Sequence, residues 1–316
     1  MICSTIVKTI LITGGSGLIG SALAPLLKEK GYKLVLLSRG KTLPANYDSV
    51  FKWDAHKQTF DIRALEGVTD VIHLAGAGIA EKRWTTERKR EIIASRTAPI
   101  KAIHKALCEK GQRINCLVSG SAVGWYGMRT DSLLHNEDES AANDYMGETC
   151  RLWEEAANAF SDCCSRIVTI RTGIVLDANG GALQTIAKAV ACGLGAPIGS
   201  GKQQMPWIHR EDIANIFATA LENSLYTGAI NATASEDCSN KVFIQTLAKT
   251  MRRPFWPIAA PSFVLKSILG EMSAVVLGGS RISNAKLKKL GFRFSHEVLH
   301  EALSDLLDAQ TPVNKS

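Results

Sequence analysis

Val7–Thr13 (VKTILIT) is a near-continuous apolar run, the pattern of a parallel strand covered on both faces. Leu18–Lys30 follows with helical spacing and is ended by Gly31. Strand runs return at Lys33–Leu37, Asp70–Leu74, Ile114–Ser119 and Arg166–Arg171. Between them, Ile92, Ile93, Ile100, Ile103 and Leu107 place a long helix over Thr86–Glu109, and a further helix spans Gly147–Phe160. Strands separated by helices of this length imply right-handed crossovers, hence an α/β, doubly wound parallel sheet with helices on both faces. After Thr172 the texture changes. Gly180, Gly181, Gly193, Gly195, Pro197, Gly199 and Gly201 mark loops around a helix at Ala182–Ala191. A strand and helix return over Trp207–Leu221, and a strand over Gly228–Ala232. Helices are then expected at Lys241–Thr250, Pro261–Leu277, Asn284–Leu290 and His296–Leu307. The pattern divides the chain into a large domain over 1–172, its sheet completed by parts of 205–232, a smaller and mainly helical lobe over 173–310, and a frayed tail over 311–316. No internal repeat is visible.

The chain has 316 residues, 46% hydrophobic and 21% charged, which suits one large α/β core with a smaller lobe. No apolar run reaches the roughly 18–20 residues a membrane helix needs. The first fifteen residues run directly into the strand pattern without the layout of a signal peptide, so a cytoplasmic or organelle-matrix protein is expected. The eight cysteines include no CxxC, and the one adjacent pair, Cys163 and Cys164, is ill suited to share a zinc ion. They read as plain thiols in a reducing compartment. No His/Cys/Asp cluster shows ligand spacing along the chain, so no metal is expected. The net charge is +7, yet acidic residues interrupt the basic stretch 81–90 and no stacking aromatics interleave it, which argues against nucleic acid. A mild positive bias also suits an anionic cofactor and an anionic substrate.

The strongest local signal is TGGSGLIG, Thr13–Gly20, set directly after a strand and before a helix. Gly15 and Gly17 let the turn tighten and the backbone approach a pyrophosphate; Gly20 lets the helix pack close to the sheet. Thr13, Gly14, Ser16, Leu18 and Ile19 complete the turn, and the helix N-terminus offers N–H groups to phosphates. This is a dinucleotide-binding fingerprint on a Rossmann-type sheet. An NAD site places an acidic residue at the end of the second strand. Here that strand ends Leu37-Ser38-Arg39-Gly40-Lys41, and a guanidinium can fork onto a 2′-phosphate. NADP(H) is therefore the expected cofactor, with Arg39 on the phosphate and Ser38 adding a hydroxyl. Asp54 is a candidate contact to the adenine edge. Leu74, Ala75 and Gly76 follow a strand and should pass near the cofactor.

Hydride chemistry needs a polar group beside the nicotinamide. Ser119 and Ser121 stand at the carboxyl end of a strand, and Tyr145 begins a helix. A tyrosine can relay a proton where a nearby cation lowers its pKa from about 10. The usual cation, a lysine one helical turn later, is replaced here by Thr149. Tyr145 then needs Lys82, Arg83, Arg151 or the nicotinamide as substitute, or it only lines the site. Trp84 and Arg83 either border the substrate cleft or form a packed stem with a solvated charge. His209 is either catalytic or fixes the loop before the helix that Asp212 and Ile213 open. His73 lies inside a strand and reads as a core residue or a support for the residues that touch ligand.

These stretches resemble the extended type of the short-chain dehydrogenase/reductase superfamily. More closely, the chain is similar to the uncharacterised "epimerase family" proteins related to bacterial sugar-nucleotide-epimerase-like enzymes and to an animal mitochondrial counterpart. The resemblance rests on TGGSGLIG (13–20), HLAGAGIAEKRWTTERKREIIASR (73–96), SGSAVGWYG (119–127) and RTGIVLDANGGAL (171–183). It continues with GAPIGSGKQQMPWIHREDIA (195–214), RRPFWPIAAPSFVLKSILGEM (252–272) and GFRFSH (291–296). It implies a Rossmann domain with a small substrate lobe and bound NADP(H), with Gly14, Gly17 and Gly20 on the cofactor and Arg39 on the 2′-phosphate. It implies Ser121 or Ser119 and Tyr145 as the groups acting on substrate; Thr149 departs from the superfamily's Tyr-x-x-x-Lys pair, and this family often has Phe at the Tyr145 position.

The expected function is an NADP(H)-dependent oxidoreductase or nucleotide-sugar-epimerase-like enzyme acting on a small polar substrate by hydride transfer. Ser121 would hold the reacting oxygen, and Tyr145 or a substrate group would handle the proton. The alternative is an NADP(H)-binding regulatory or interaction protein that has lost its chemistry. The expected partner is a small molecule, with neither nucleic acid nor membrane, and the sequence leaves monomer and homodimer both open.

Overall fold

The structure is a computed structural model that describes residues 8–40, 42, 44–130 and 132–308, with Val264 described in its backbone only. Val7 of the first expected strand, Lys41 and the expected tail 311–316 lie outside the described residues.

The N-terminal half alternates β1 (Thr9–Thr13), α1 (Leu18–Glu29), β2 (Lys33–Ser38), β3 (Ser49–Asp54), β4 (Thr59–Phe60), β5 (Val68–His73), α2 (Thr86–Glu109) and β6 (Ile114–Ala122). A short β7 (Leu134–His135), α3 (Tyr145–Asn158) and β8 (Cys164–Thr172) follow. The remainder comprises β9 (Ile174–Leu176), α4 (Gly181–Ala191), β10 (Trp207–His209), α5 (Arg210–Glu222), β11 (Gly228–Ala232), α6 (Asn240–Thr250), α7 (Ser262–Leu269), α8 (Ser273–Leu277), β12 (Arg281–Ile282), α9 (Ala285–Lys289) and α10 (Leu299–Asp308).

Eight strands form one sheet in the order β11-β8-β6-β5-β1-β2-β3-β4, parallel throughout except for the β3–β4 hairpin. The chain moves outward from β1 through β2 and β3, then returns to the other side of β1 at β5. The crevice at this reversal, beyond the carboxyl ends of β1 and β5, is where doubly wound sheets bind ligands. All five residues of β1 are buried, as a central parallel strand requires. Ile10, Ile12, Leu23, Leu27, Ile213 and Phe217 belong to the core on the face covered by α1 and α5. Leu11, Val71, Ile100, Leu107, Leu117 and Phe160 fill the opposite face under α2 and α3. A third cluster, with Leu176, Trp207, Phe243, Leu247 and Leu303, holds α4, α6 and α10 together in a mainly helical C-terminal lobe. No helix among the described residues is long and apolar enough to cross a membrane.

Several element ends differ from the sequence expectation for local reasons. Helix α3 starts at Tyr145 instead of Gly147 because the Asp144 carboxylate caps it by accepting from the Gly147 N–H at 2.8 Å. The single helix expected over Pro261–Leu277 is broken at Gly270, whose φ of +60° no helix tolerates. Helix α10 begins at Leu299, not His296, because the Ser295 and His296 amides are bound by the Asp212 carboxylate at 2.8 and 3.0 Å. The strands β3 and β4 were not expected from the sequence; β4 has only two residues at the sheet's margin, and the half-buried β3 beside it lacks the apolar run that marks the central strands.

Candidate active site

The turn from β1 into α1 is shaped by close contacts at Gly14, Gly15 and Gly20. Gly14 has φ +70°, and a Cβ there would lie 2.5 Å from the carbonyl carbon of Leu74. A Cβ on Gly15 would meet the Tyr47 hydroxyl at 2.0 Å, and one on Gly20 would meet Cα of Gly15 at 2.5 Å. Tyr47 donates to the Gly15 carbonyl at 3.2 Å, and its burial pushes the phenol up to about 12. Gly17 differs from the rest. Its missing side chain faces only the Gly14 carbonyl, at 3.3 Å, and Gly17 and Ser16 are both exposed. Gly17 also caps α1 without any side-chain acceptor, and among the described residues no side chain bonds the first-turn amides of Leu18, Ile19 and Gly20. These are free donors at the positive end of a helix, placed at the sheet's reversal point.

A buried hydrogen-bond chain fixes the two strands that frame this turn. His73 Nε2 lies 2.7 Å from the Arg96 carbonyl, which can only accept, so the ring proton is on Nε2. Nδ1 then accepts from the Thr13 hydroxyl at 2.7 Å, and Thr13 Oγ1 accepts from the Ala75 N–H at 3.2 Å. Complete burial holds the imidazole down at about 4, so it stays neutral in this role. Leu74, Ala75 and Gly76 are thereby led past Gly14. A Cβ on Gly76 would lie 3.1 Å from the guanidinium carbon of Arg96.

Arg39 stands exposed just beyond the carboxyl end of β2; among the described residues its guanidinium makes no hydrogen bond or ion pair, and it contributes to the field at Glu91. Ser38 Oγ accepts from the Gly40 N–H at 3.2 Å, stiffening this loop. Asp54 Oδ1 accepts from the His56 and Lys57 amides, both at 3.0 Å, which closes the β3–β4 hairpin and holds the carboxyl below its usual range.

At the ends of β6 and β8 the residues facing α3 turn from apolar to polar. Ser119 is fully buried and its hydroxyl donates to the Gly120 carbonyl at 3.0 Å. Ser121 donates to Glu154 Oε1 of α3 at 2.7 Å. Glu154 is paired with Arg171 by contacts of 2.9 and 3.1 Å, and both side chains are nearly inaccessible. Arg171 also donates to the Tyr126 hydroxyl at 3.1 Å and lies 3.8 Å from the Trp125 ring centroid, while Tyr126 donates to Asn231 at 2.7 Å. Charge balance and hydrogen bonds are met inside this network.

Tyr145 is held differently. Its hydroxyl donates to the Lys89 carbonyl of α2 at 3.0 Å, and its ring packs edge-on to Trp84 at 4.7 Å. Burial raises its pKa, while Thr149, Arg96 and Arg88 oppose the rise. Thr149 donates to the Tyr145 carbonyl. Of the cations the sequence offered as substitutes for lysine, Arg151 is spent on Glu148 and Glu155, Arg83 is exposed against the turn at Gly270, and Lys82 is exposed. The cations near the phenol are instead Arg96, Arg88 and Lys89, the last with its Nζ 5.1 Å from the ring centroid. The sequence missed them because their common signal is helical spacing along α2, which also reads as a solvated face. Trp84 is buried, donates to the Ile79 carbonyl at 2.9 Å and packs with Ile92, Met146 and Met272. The structure thus uses it as a stem joining the loop 75–85 to the C-terminal lobe.

His209 is fully buried at the start of α5, where Nδ1 accepts from the Glu211 N–H at 3.2 Å. Its ring stacks on His296 at 3.7 Å, and Nε2 lies 3.3 Å from Asp305 without hydrogen-bond alignment. His209, Glu211 and Asp305 border a groove of about 870 Å³ lined also by Ser21, Pro25 and Asn179. That groove contains none of Ser119, Ser121 or Tyr145, and its size does not mark the chemistry.

With this geometry in hand, comparison with known proteins is informative. The pattern of the NAD dependent epimerase/dehydratase family matches residues 10–232, and a domain of unknown function matches residues 260–306. An epimerase family protein of Mycobacterium bovis is 32% identical over 295 residues, covering 93% of this chain and 96% of that protein. A chloroplastic epimerase family protein of Arabidopsis thaliana is 33% identical over 310 residues, covering 95% of this chain and 86% of its own length. Among solved structures, a human epimerase family protein crystallised with NADPH superposes with a TM-score of 0.84 at 29% identity, over 95% of this chain and 99% of that one.

Proposed function

Because the chain belongs to the NAD dependent epimerase/dehydratase family, we propose that it is an NADP(H)-dependent oxidoreductase acting on a small, polar, nucleotide-sugar-like carbonyl or alcohol. The observation that carries this reading is the β1–α1 turn: exposed at Gly17, closed by protein contacts at Gly14, Gly15 and Gly20, and capped by no side chain. A pyrophosphate fits where a Cβ is absent and amides are free. Thr13, Ser16, Leu18 and Ile19 would border it, Arg39 and Ser38 would hold the 2′-phosphate, Asp54 would meet the adenine edge through Oδ2, and Leu74, Ala75 and Gly76 would line the cofactor. The human relative solved with NADPH supports the choice of the phosphorylated cofactor.

The bound nicotinamide supplies or takes up a hydride. In our reading Ser121, with its proton directed to Glu154, accepts a hydrogen bond from a substrate hydroxyl beside the reacting carbonyl, or from the alcohol in the reverse direction, and so orients the reacting carbon. Ser119 holds the backbone at that strand end. Tyr145 already donates to Lys89, and no lysine lies one turn on, so the proton moves through a substrate group or solvent, and reduction is favoured over epimerisation. Arg83, on the exposed side of the loop, meets an anionic substrate, and His209 fixes the start of α5. The seven described cysteines, all free thiols, suit a reducing compartment such as the cytoplasm.

The same observation at Tyr145 favours a second reading, an NADP(H)-binding regulator without turnover. One experiment separates the two: single-turnover oxidation of bound NADPH by a panel of carbonyl compounds, with Tyr145→Phe and Arg39→Ala variants alongside. The enzyme reading expects turnover that survives Tyr145→Phe. Tight NADPH binding with no turnover across the panel supports the regulator. Arg39→Ala should weaken NADPH by about 1–3 kcal/mol and leave NADH nearly unchanged; equal weakening of both would remove the 2′-phosphate assignment.

A further inference from the structure

His104 and Cys108 lie four residues apart on α2 and so share one face. Asp162 and Cys163 lie next to each other in the turn that leads into β8. The fold brings these two pairs together on the rim of the sheet where β8 begins. The seven residue steps of β8 from Cys164 to Arg171, which pairs with Ser121, at about 3.3 Å each separate this rim from the Ser121 end by about 23 Å. Nε2 of His104 is 2.9 Å from Asp162 Oδ1 and 3.4 Å from Cys108 Sγ, and Cys108 Sγ is 3.7 Å from Asp162 Oδ2. One ligand atom from each of the four residues, Cys163 included, falls within 4.8 Å of all the others. Zinc bonds of about 2.3 Å to sulfur and about 2.0–2.1 Å to nitrogen or oxygen set tetrahedral neighbours about 3.3–3.8 Å apart. The observed spacings bracket that range.

The geometry points to a tetrahedral zinc site formed by His104, Cys108, Asp162 and Cys163. All four positions come from protein, so the site is closed and structural, tying the far end of α2 to the start of β8. On binding, the two thiols each release a proton to solvent as their Sγ–metal bonds form. Three anionic ligands against a doubly charged ion leave one net negative charge, and Arg113, which donates to the Asp162 carbonyl, stands beside it. The His104 ring packs against Phe160 at 5.1 Å, which holds it in place on this face. The adjacent Cys164 turns away and donates to the Arg166 carbonyl, so only one member of the pair is a ligand. The sequence shows no ligand spacing because the two halves are separated by 54 residues or more. The inference is independent of the oxidoreductase reading.

The test uses the full chain without an affinity tag, reduced with a phosphine and stripped by a chelator, then titrated with Co²⁺ followed by Zn²⁺. The expected result is one equivalent of Co²⁺ with intense tetrahedral d–d bands and a thiolate charge-transfer band, displaced by Zn²⁺, and a higher Tm with Zn²⁺. Cys108→Ser and Asp162→Asn should each lower affinity by more than about 100-fold, beyond the loss of an outer-shell partner. Both change exposed groups, so folding is retained, and Cys192→Ser, another exposed thiol, should bind as the parent does. The proposal is overturned if no thiolate band appears, if Cys108→Ser keeps the parent's band and affinity, or if a Cys108–Cys163 disulfide is recovered before reduction and the reduced chain binds no metal.

Discussion

The glycine turn at the end of β1 and the serine corner at the end of β6 both occupy carboxyl ends of the same sheet, yet they are built in opposite ways. The turn is closed by protein at three glycines and left open at Gly17, with amides that no side chain engages. At the corner, Ser121, Glu154, Arg171, Tyr126 and Asn231 bind one another in sequence. The turn leaves its donors open, whereas the corner satisfies its own polar groups. Fixed donors waiting at the turn favour an anion without reorganisation, whereas the corner can orient a substrate only through lone pairs its own network leaves over.

Glu154→Ala should separate the two regions most sharply. It leaves the Arg171 guanidinium buried without its carboxylate, an effect of about 3–5 kcal/mol on unfolding free energy measured in urea. A loss under about 1 kcal/mol would mean that the corner is wet and that its internal pairing is not what holds it. His73 links the regions and gives the next effect. The unfolded imidazole titrates near 6.5, the folded one near 4, so between these values only the unfolded chain binds the proton. Its contribution is fully present above pH 6.5 and fades as pH falls toward 4, by about 3 kcal/mol in all. The stability–pH slope across that window should flatten in His73→Gln, and parallel slopes for parent and variant would refute a neutral buried His73. The smallest stability change belongs to Gly17→Ala, within about 0.5 kcal/mol, since its Cβ meets only the Gly14 carbonyl. NADPH affinity should nonetheless drop at least tenfold by titration calorimetry, while Gly20→Ala, driven into Gly15, should lose about 1–3 kcal/mol of stability as well.

The alternation of strands and helices was legible because central parallel strands must be apolar on both faces, as Thr9–Thr13 and the run through Leu117 are. The turn was legible for a related reason: its glycines are local, and their spacing is a direct image of close backbone approach. What escaped the sequence depends on partners far along the chain. β3, next to the marginal β4, has mostly half-buried residues, so no run announces it. Ser121 reads as a free hydroxyl until Glu154, 33 residues on, is found against it. Tyr145 invites a search for a lysine at Thr149, while its phenol meets the Lys89 carbonyl of another helix, whose Arg88 and Arg96 act on it through their charge. The break at Gly270 was visible as a glycine, but an isolated glycine inside an apolar pattern does not reveal the sign of its φ.

The position of β11 has a consequence for how the chain is made. This strand is the outermost partner of β8, yet it is encoded after α4, β10 and α5. While the protein is being synthesised, the β8 margin therefore has a row of unmatched amides and carbonyls until residue 232 has left the ribosome. Such a margin invites strands from neighbouring nascent chains. A fragment stopped at Thr172 would keep that adhesive border permanently, and the two halves of this polypeptide are best regarded as one folding unit.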